Sequence, residues 1–149
     1  MPNMIETNNK TRSKIDARLV KGVARKFLKY YNKRIRRGAT NAAHANNNIE
    51  VSIAFVGDKT IRNLNKAYRG IDKTTDVLTF SGEDKFLGEI IINYPQVKKQ
   101  AKKFGNSVKQ ELIFILTHGL LHLLGYDDRT EKGRIKMDRM GEEFINKIV

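Results

Sequence analysis

The segment that most constrains the fold runs from Val108 to Asp128. Leu112, Ile115, Leu116, Leu120, Leu121 and Leu124 recur at helical spacing and leave little of the circumference polar. A helix of that kind has to lie at the centre of its domain. Ser107 and Gln110 form a capping-box pattern at its start, and Gly125 is a natural stop. His118 and His122 sit inside it, and they are two of the three histidines in the chain. Their spacing of four puts both rings on one face, about 40° and one turn apart. Leucines flank both, and polar rings in such a helix need partners. Asp128 lies three residues beyond Gly125. The pattern His-x3-His-x2-Gly-x2-Asp reads as a metal site with two helical ligands, a glycine that can take positive φ, and a third ligand on the returning chain. Asp127 is a close rival for the third place. The sequence has no cysteine, so any transition-metal site must use imidazole and carboxylate.

The residue after His118 is Gly119. The zinc-peptidase pattern His-Glu-x-x-His needs a glutamate there as general base, so a metallopeptidase is only a remote alternative. Charge points elsewhere. Lys and Arg total 29 against 16 Asp and Glu, a net +13 over 149 residues. Residues 1–75 carry 17 basic and 5 acidic side chains, net +12, whereas residues 76–149 carry 12 and 11. That asymmetry suggests a polyanion partner, and a metal site beside it suggests a phosphodiester substrate.

In chain order, residues 1–14 are rich in Asn, Thr and Lys and read as a flexible tail, with a single domain over 15–149. From Asp16 the pattern becomes helical, with Leu19, Val23, Phe27 and Tyr30 or Tyr31 on one stripe. Residues 10–37 hold 12 basic side chains and one acid. One sign at that density repels itself unless a partner neutralises it, so Lys21, Arg25, Lys29, Lys33, Arg36 and Arg37 are candidates for a phosphate-binding, nucleic-acid-facing surface. Arg37 to Asn48 reads as a loop, and His44 within it as an ordinary exposed side chain. Ile49–Val56 alternates as a strand. Asp58 is a candidate cap for a helix through Ile61 and Leu64 that ends at Arg69-Gly70. Strands follow at Val77–Phe80 and Phe86–Asn93, the second with an Ile-Ile-Ile run that suggests burial on both faces. Pro95 suits the first turn of the next helix, and a last helix places Ile135, Met137 or Asp138, Met140, Phe144 and Ile148 on its stripe. The expectation is one α+β domain, a three- or four-stranded sheet with about five helices packed on it, and a metal site on a central helix and the turn after it. No apolar run approaches the length of a membrane span, because Thr117, His118, Gly119 and His122 break the longest one, Leu112 to Leu124.

His118-Gly-Leu-Leu-His-Leu-Leu-Gly-Tyr-Asp127 resembles the signature of the YbeY family, the bacterial endoribonucleases of ribosomal RNA maturation. The family continues with a third histidine where this chain has Asp128. A second block, Tyr68-Arg-Gly-Ile-Asp-Lys-Thr-Thr-Asp-Val-Leu-Thr-Phe80, is similar to the family's Arg-x-x-Asp-Lys-x-Thr-(Asn/Asp)-Val-Leu-Ser-Phe, and Leu87-Gly88-Glu89-Ile90 to its Leu-Gly-Asp-Ile. The resemblance implies a cytoplasmic, metal-dependent nuclease for single-stranded RNA, with one Zn(2+) per chain. It also implies a role at the small ribosomal subunit in 16S rRNA 3′-end processing and ribosome quality control. By position, His118 and His122 carry over as ligands, Asp128 as a substituted third ligand, and Arg69 as an arginine near the metal cleft that would contact the scissile phosphate. A ribosome- or RNA-binding assembly factor with a structural metal is the alternative that the Asp128 departure supports.

Overall fold

The computed structural model describes residues 3–37 and 48–149, with the side chains of Arg34, Arg36 and Arg37 left aside. The expected loop around His44 lies outside these residues. Among the described residues the elements are β1 (Met4–Asn9), α1 (Ala17–Tyr30), α2 (Asn32–Arg37), β2 (Glu50–Val56), α3 (Asp58–Arg69), β3 (Val77–Ser81), β4 (Phe86–Asn93), α4 (Tyr94–Phe104), α5 (Val108–Leu123) and α6 (Glu131–Ile148). The sheet order is β1-β2-β4-β3. β1, β2 and β4 run parallel, and β3 is antiparallel to β4. This is an α+β domain with a four-stranded mixed sheet.

The sheet is buried on both faces by different partners. Ile53 and Phe55 of β2 pair with Ile90 and Ile92 of β4 and join the main core with α1, α5 and α6. The alternate residues Ala54, Val56 and Ile91, with Leu78 of β3, meet Ile61 of α3 on the other side. The three consecutive isoleucines of β4 therefore serve two cores, as period two requires.

α5 is the central helix, packing against α1, α4, α6, β3 and β4. Its capping box is formed: the Ser107 hydroxyl accepts from the Gln110 amide at 3.1 Å, and the Gln110 side chain accepts from the Ser107 amide at 2.8 Å. Gly119 sits where the helix meets the sheet. A Cβ there would lie 2.9 Å from Ile90 Cγ2 and 3.5 Å from Val77 Cγ2. Gly125 ends the helix at φ +98°, and the Tyr126 amide bonds back to the Leu121 carbonyl at 3.2 Å.

Three expectations are corrected. The tail over residues 1–14 contains β1, which pairs with β2 from Met4↔Glu50 to Asn9↔Phe55. The strand is held by its backbone and by one buried side chain, Ile5, 4% exposed. A polar edge strand of this kind has no apolar alternation to betray it. Asn9 then folds the following residues into a turn, its side chain accepting from the Thr11 amide at 2.9 Å and donating to the Ser13 carbonyl at 2.7 Å. Second, the cap of α3 is Gly57, and Asp58 is the first helical residue. Third, Ile135 is 46% exposed, and the buried stripe of α6 is Met137, Met140, Gly141 and Phe144.

Ile5→Ala tests the attachment of β1. It should cost about 2 kcal/mol or more, read as a lowered urea midpoint at unchanged slope. An unattached tail would leave the midpoint where it was.

Candidate metal centre

The two histidines lie one turn apart at the end of α5 with their rings edge to face, centroids 4.7 Å apart. Their Nε2 atoms approach to 3.2 Å. The chain reverses at Gly125 and brings Asp128 to them: Oδ2 lies 3.2 Å from His118 Nε2, and Oδ1 3.8 Å from His122 Nε2. One donor atom from each of the three lies within 4.8 Å of the others. Tetrahedral zinc with ligand bonds near 2.0–2.1 Å needs donors roughly 3.3 Å apart, so the trio could hold a metal ion.

The ring of His122 is set for that role. Its Nδ1–H donates to the Tyr126 carbonyl at 3.0 Å, which leaves the lone pair on Nε2. Burial first, and then the neighbouring His118, push its pKa below the ordinary histidine range, against the opposing pull of Asp128 and Asp127. The neutral, ligating form is therefore favoured. Asp127 is turned to another task. Its carboxylate accepts from the Arg129 amide and guanidinium, each at 3.2 Å, and these bonds lower its pKa. Asp127 thus faces Arg129, whereas Asp128 faces the two histidines.

The trio opens into a cleft of about 890 Å³ between α5, the end of α3, β3 and the turn before α6. Arg69 lines it from the last turn of α3. Its guanidinium donates to the Thr79 carbonyl of β3 and lies over the Phe80 ring, 5.5 Å from the centroid. The connection from α3 to β3 is tied down by polar side chains. Asn93, fully buried, donates to Asp58 at 2.7 Å and to the Thr74 hydroxyl and Thr75 carbonyl at 3.1 Å each. Asn65 donates to the Lys73 carbonyl at 3.0 Å, and Arg62 pairs with Asp72 at 2.8 Å. Much of the block from Arg69 to Asp76 is thus scaffolding that aims β3 and Arg69 at the cleft.

Arg69, His118, His122, Asp127 and Asp128 all line this cleft. Lys21, Arg25, Lys29 and Lys33 do not. The helix α1 packs against β1 and α5, and none of its residues is in the wall of the cleft, which lies at β3, the opposite edge of the sheet from β1. Lys21 lines a different groove, with Ser52 and Glu89. The side chains of Arg36 and Arg37 are outside the described set. The cations at the cleft besides Arg69 are Arg129 and Arg134, paired with Asp127 and Asp138 at 3.2 and 3.4 Å. The charge count overlooks both, because it weighs the dense run at residues 10–37 and not single arginines next to a motif. It overlooks Phe114 too, another residue of the cleft wall.

A cluster able to hold one metal ion, on a buried helix and the turn after it, in a cleft walled by arginine, defines the class as a metal-site α+β domain. The family model described as Endoribonuclease YbeY matches residues 5–149, and the chain belongs to that family. A Moorella thermoacetica protein named Endoribonuclease YbeY is 39% identical over 126 residues, covering 75% of this chain and 81% of its own. One from Sulfurihydrogenibium sp. is 38% identical over 133 residues, covering 83% and 84%. A solution structure of a Thermotoga maritima protein superposes with a TM-score of 0.61 at 27% identity, covering 97% of this chain and 91% of that one.

Asp128→Ala is expected to weaken zinc binding, measured by calorimetric titration, by more than the ~10–100-fold that loss of an outer-shell partner costs. Asp127→Ala should leave it unchanged. The reverse ranking would give the third ligand position to Asp127.

Proposed function

We propose that this chain is a zinc-dependent endoribonuclease that cuts single-stranded RNA in ribosomal RNA maturation, at the small ribosomal subunit and within the cytoplasm. The observation that carries the reading is the convergence of His118, His122 and Asp128, one donor atom from each within 4.8 Å of the others, in the same cleft as Arg69. Membership of an endoribonuclease family supports it. A zinc ion held by His118, His122 and Asp128 would supply Lewis acidity toward a phosphodiester and its attacking oxygen.

The residues divide the remaining work. His118 and His122 offer imidazole nitrogens, and the Tyr126 carbonyl keeps the His122 ring in one tautomer. Asp128 places a negative charge where a third imidazole would be neutral, which softens the pull of the cation. Arg69 binds and orients the phosphate. One guanidinium nitrogen is used on Thr79, and the planar fork has further N–H donors for phosphate oxygens as charge builds on them. Its place over Phe80 restricts the plane in which that fork can turn. The cations of α1 would hold RNA outside the cleft, at the other edge of the sheet. The peptidase alternative lacks its general base, because Gly119 stands where the glutamate would be. Gly119 also packs on Ile90, and a Cβ there would lie 2.9 Å from the Ile90 Cγ2 methyl. No described helix is long and apolar enough to cross a membrane.

The test is incubation with single-stranded and duplex RNA, with and without chelator. Cutting of the single strand that chelator abolishes and zinc restores is expected. Arg69→Ala should keep its zinc and lose roughly 10²-fold in kcat/KM. Tight RNA binding with no cutting by metal-loaded wild type would favour an assembly factor.

A further inference from the structure

We infer that Phe114 is a stacking platform for a nucleobase next to the phosphate under attack, and that it gives the cleft its selectivity for unpaired RNA. This rests on the nuclease reading above. Along the middle of α5, Leu112, Ile113, Ile115, Leu116 and Thr117 are buried, yet Phe114 is 39% exposed. It lies four residues before His118 and eight before His122, so all three occupy one stripe of the helix, and all three line the cleft. The Phe114 and His118 rings are nearly parallel, 26° apart in plane with centroids 6.4 Å apart. The aromatic face therefore stands one helical turn from the donor cluster and is braced by one of its members.

A lone exposed phenylalanine is ordinary on a protein surface. Its setting here is what points to a nucleotide. The same cleft offers the guanidinium groups of Arg69 and of Arg129 and Arg134, the latter two paired with Asp127 and Asp138, and a place for a cation among His118, His122 and Asp128. These groups recognise phosphates. An apolar ring among them recognises what lies between phosphates, which in a single strand is the flat face of a base. Single-strand sites combine a cationic track with such rings, and any base can stack on them. In a duplex the faces are covered by neighbouring pairs, and exposing one first requires unstacking. A base seated on Phe114 would place an adjoining phosphate over the donor cluster.

The probe is a short single-stranded RNA carrying 2-aminopurine at successive positions, mixed with zinc-loaded protein and followed by stopped-flow fluorescence within the first turnover. Wild type should quench the probe most at one position. Phe114→Ala should lose that quench and raise KM about 10-fold, with kcat within about 2-fold and zinc content and melting temperature unchanged. Phe114→Trp should restore both quench and KM; Phe114→Leu should restore neither. A Phe114→Ala variant with wild-type quench and KM would overturn the proposal, and so would full rescue by Phe114→Leu. RNA cutting by wild type that is indifferent to Phe114 sinks this inference alone. A quench that depends on Phe114 without any cutting supports the platform and sinks the nuclease reading. Neither quench nor cutting sinks both.

Discussion

The site depends on how closely α5 can approach the sheet. At Gly119 the helix backbone comes down on Ile90 and Val77, with no room for a Cβ at its ideal place. That contact fixes the height of the helix over β3 and β4 and its rotation about its own axis. With Gly119 facing the sheet, its neighbour His118 turns toward the cleft, and His122 follows one turn later. Dispersion and close packing, not the polar groups, set the position of the polar groups. The Asp128 side of the trio depends on a second backbone event, the reversal at Gly125, whose positive φ carries the chain back over the end of the same helix.

What could be read from the sequence follows from this division. The central helix announces itself through its leucines and its Ser107–Gln110 cap, and β4 through its isoleucines. The two histidines are legible because a four-residue spacing has only one meaning on a helix. Those signals are local. The elements that the pattern misjudged are defined non-locally. β1 is a strand because β2 offers it backbone partners, and composition carries no trace of that offer. The cationic run of α1 is real, but its distance from the cleft is set by strand order. β1 and β3 lie at opposite edges of the sheet although both feed the same core. Asp127 and Asp128 look alike in the sequence, and what tells them apart is a contact it does not show: Arg129 engages the first, while the second meets the histidines.

Gly119 also has two readings that agree. In the sequence it marks the missing general base of a peptidase. In the fold it is a packing requirement, and a side chain there would push against the sheet under the helix that carries His118 and His122. The glycine therefore bears on which chemistry the site excludes and on whether the site forms at all.

The bond from Arg69 to the Thr79 carbonyl has a consequence for the edge of the sheet. β3 is an outermost strand, and its free side runs along the cleft. An open edge of that kind is an invitation to any extended chain, including another copy of this one. Arg69 occupies one of its acceptors and sets a positive charge against the line along which a new strand would have to lie. The side chain proposed to meet phosphate in the cleft thus also guards part of an edge where a second chain could add.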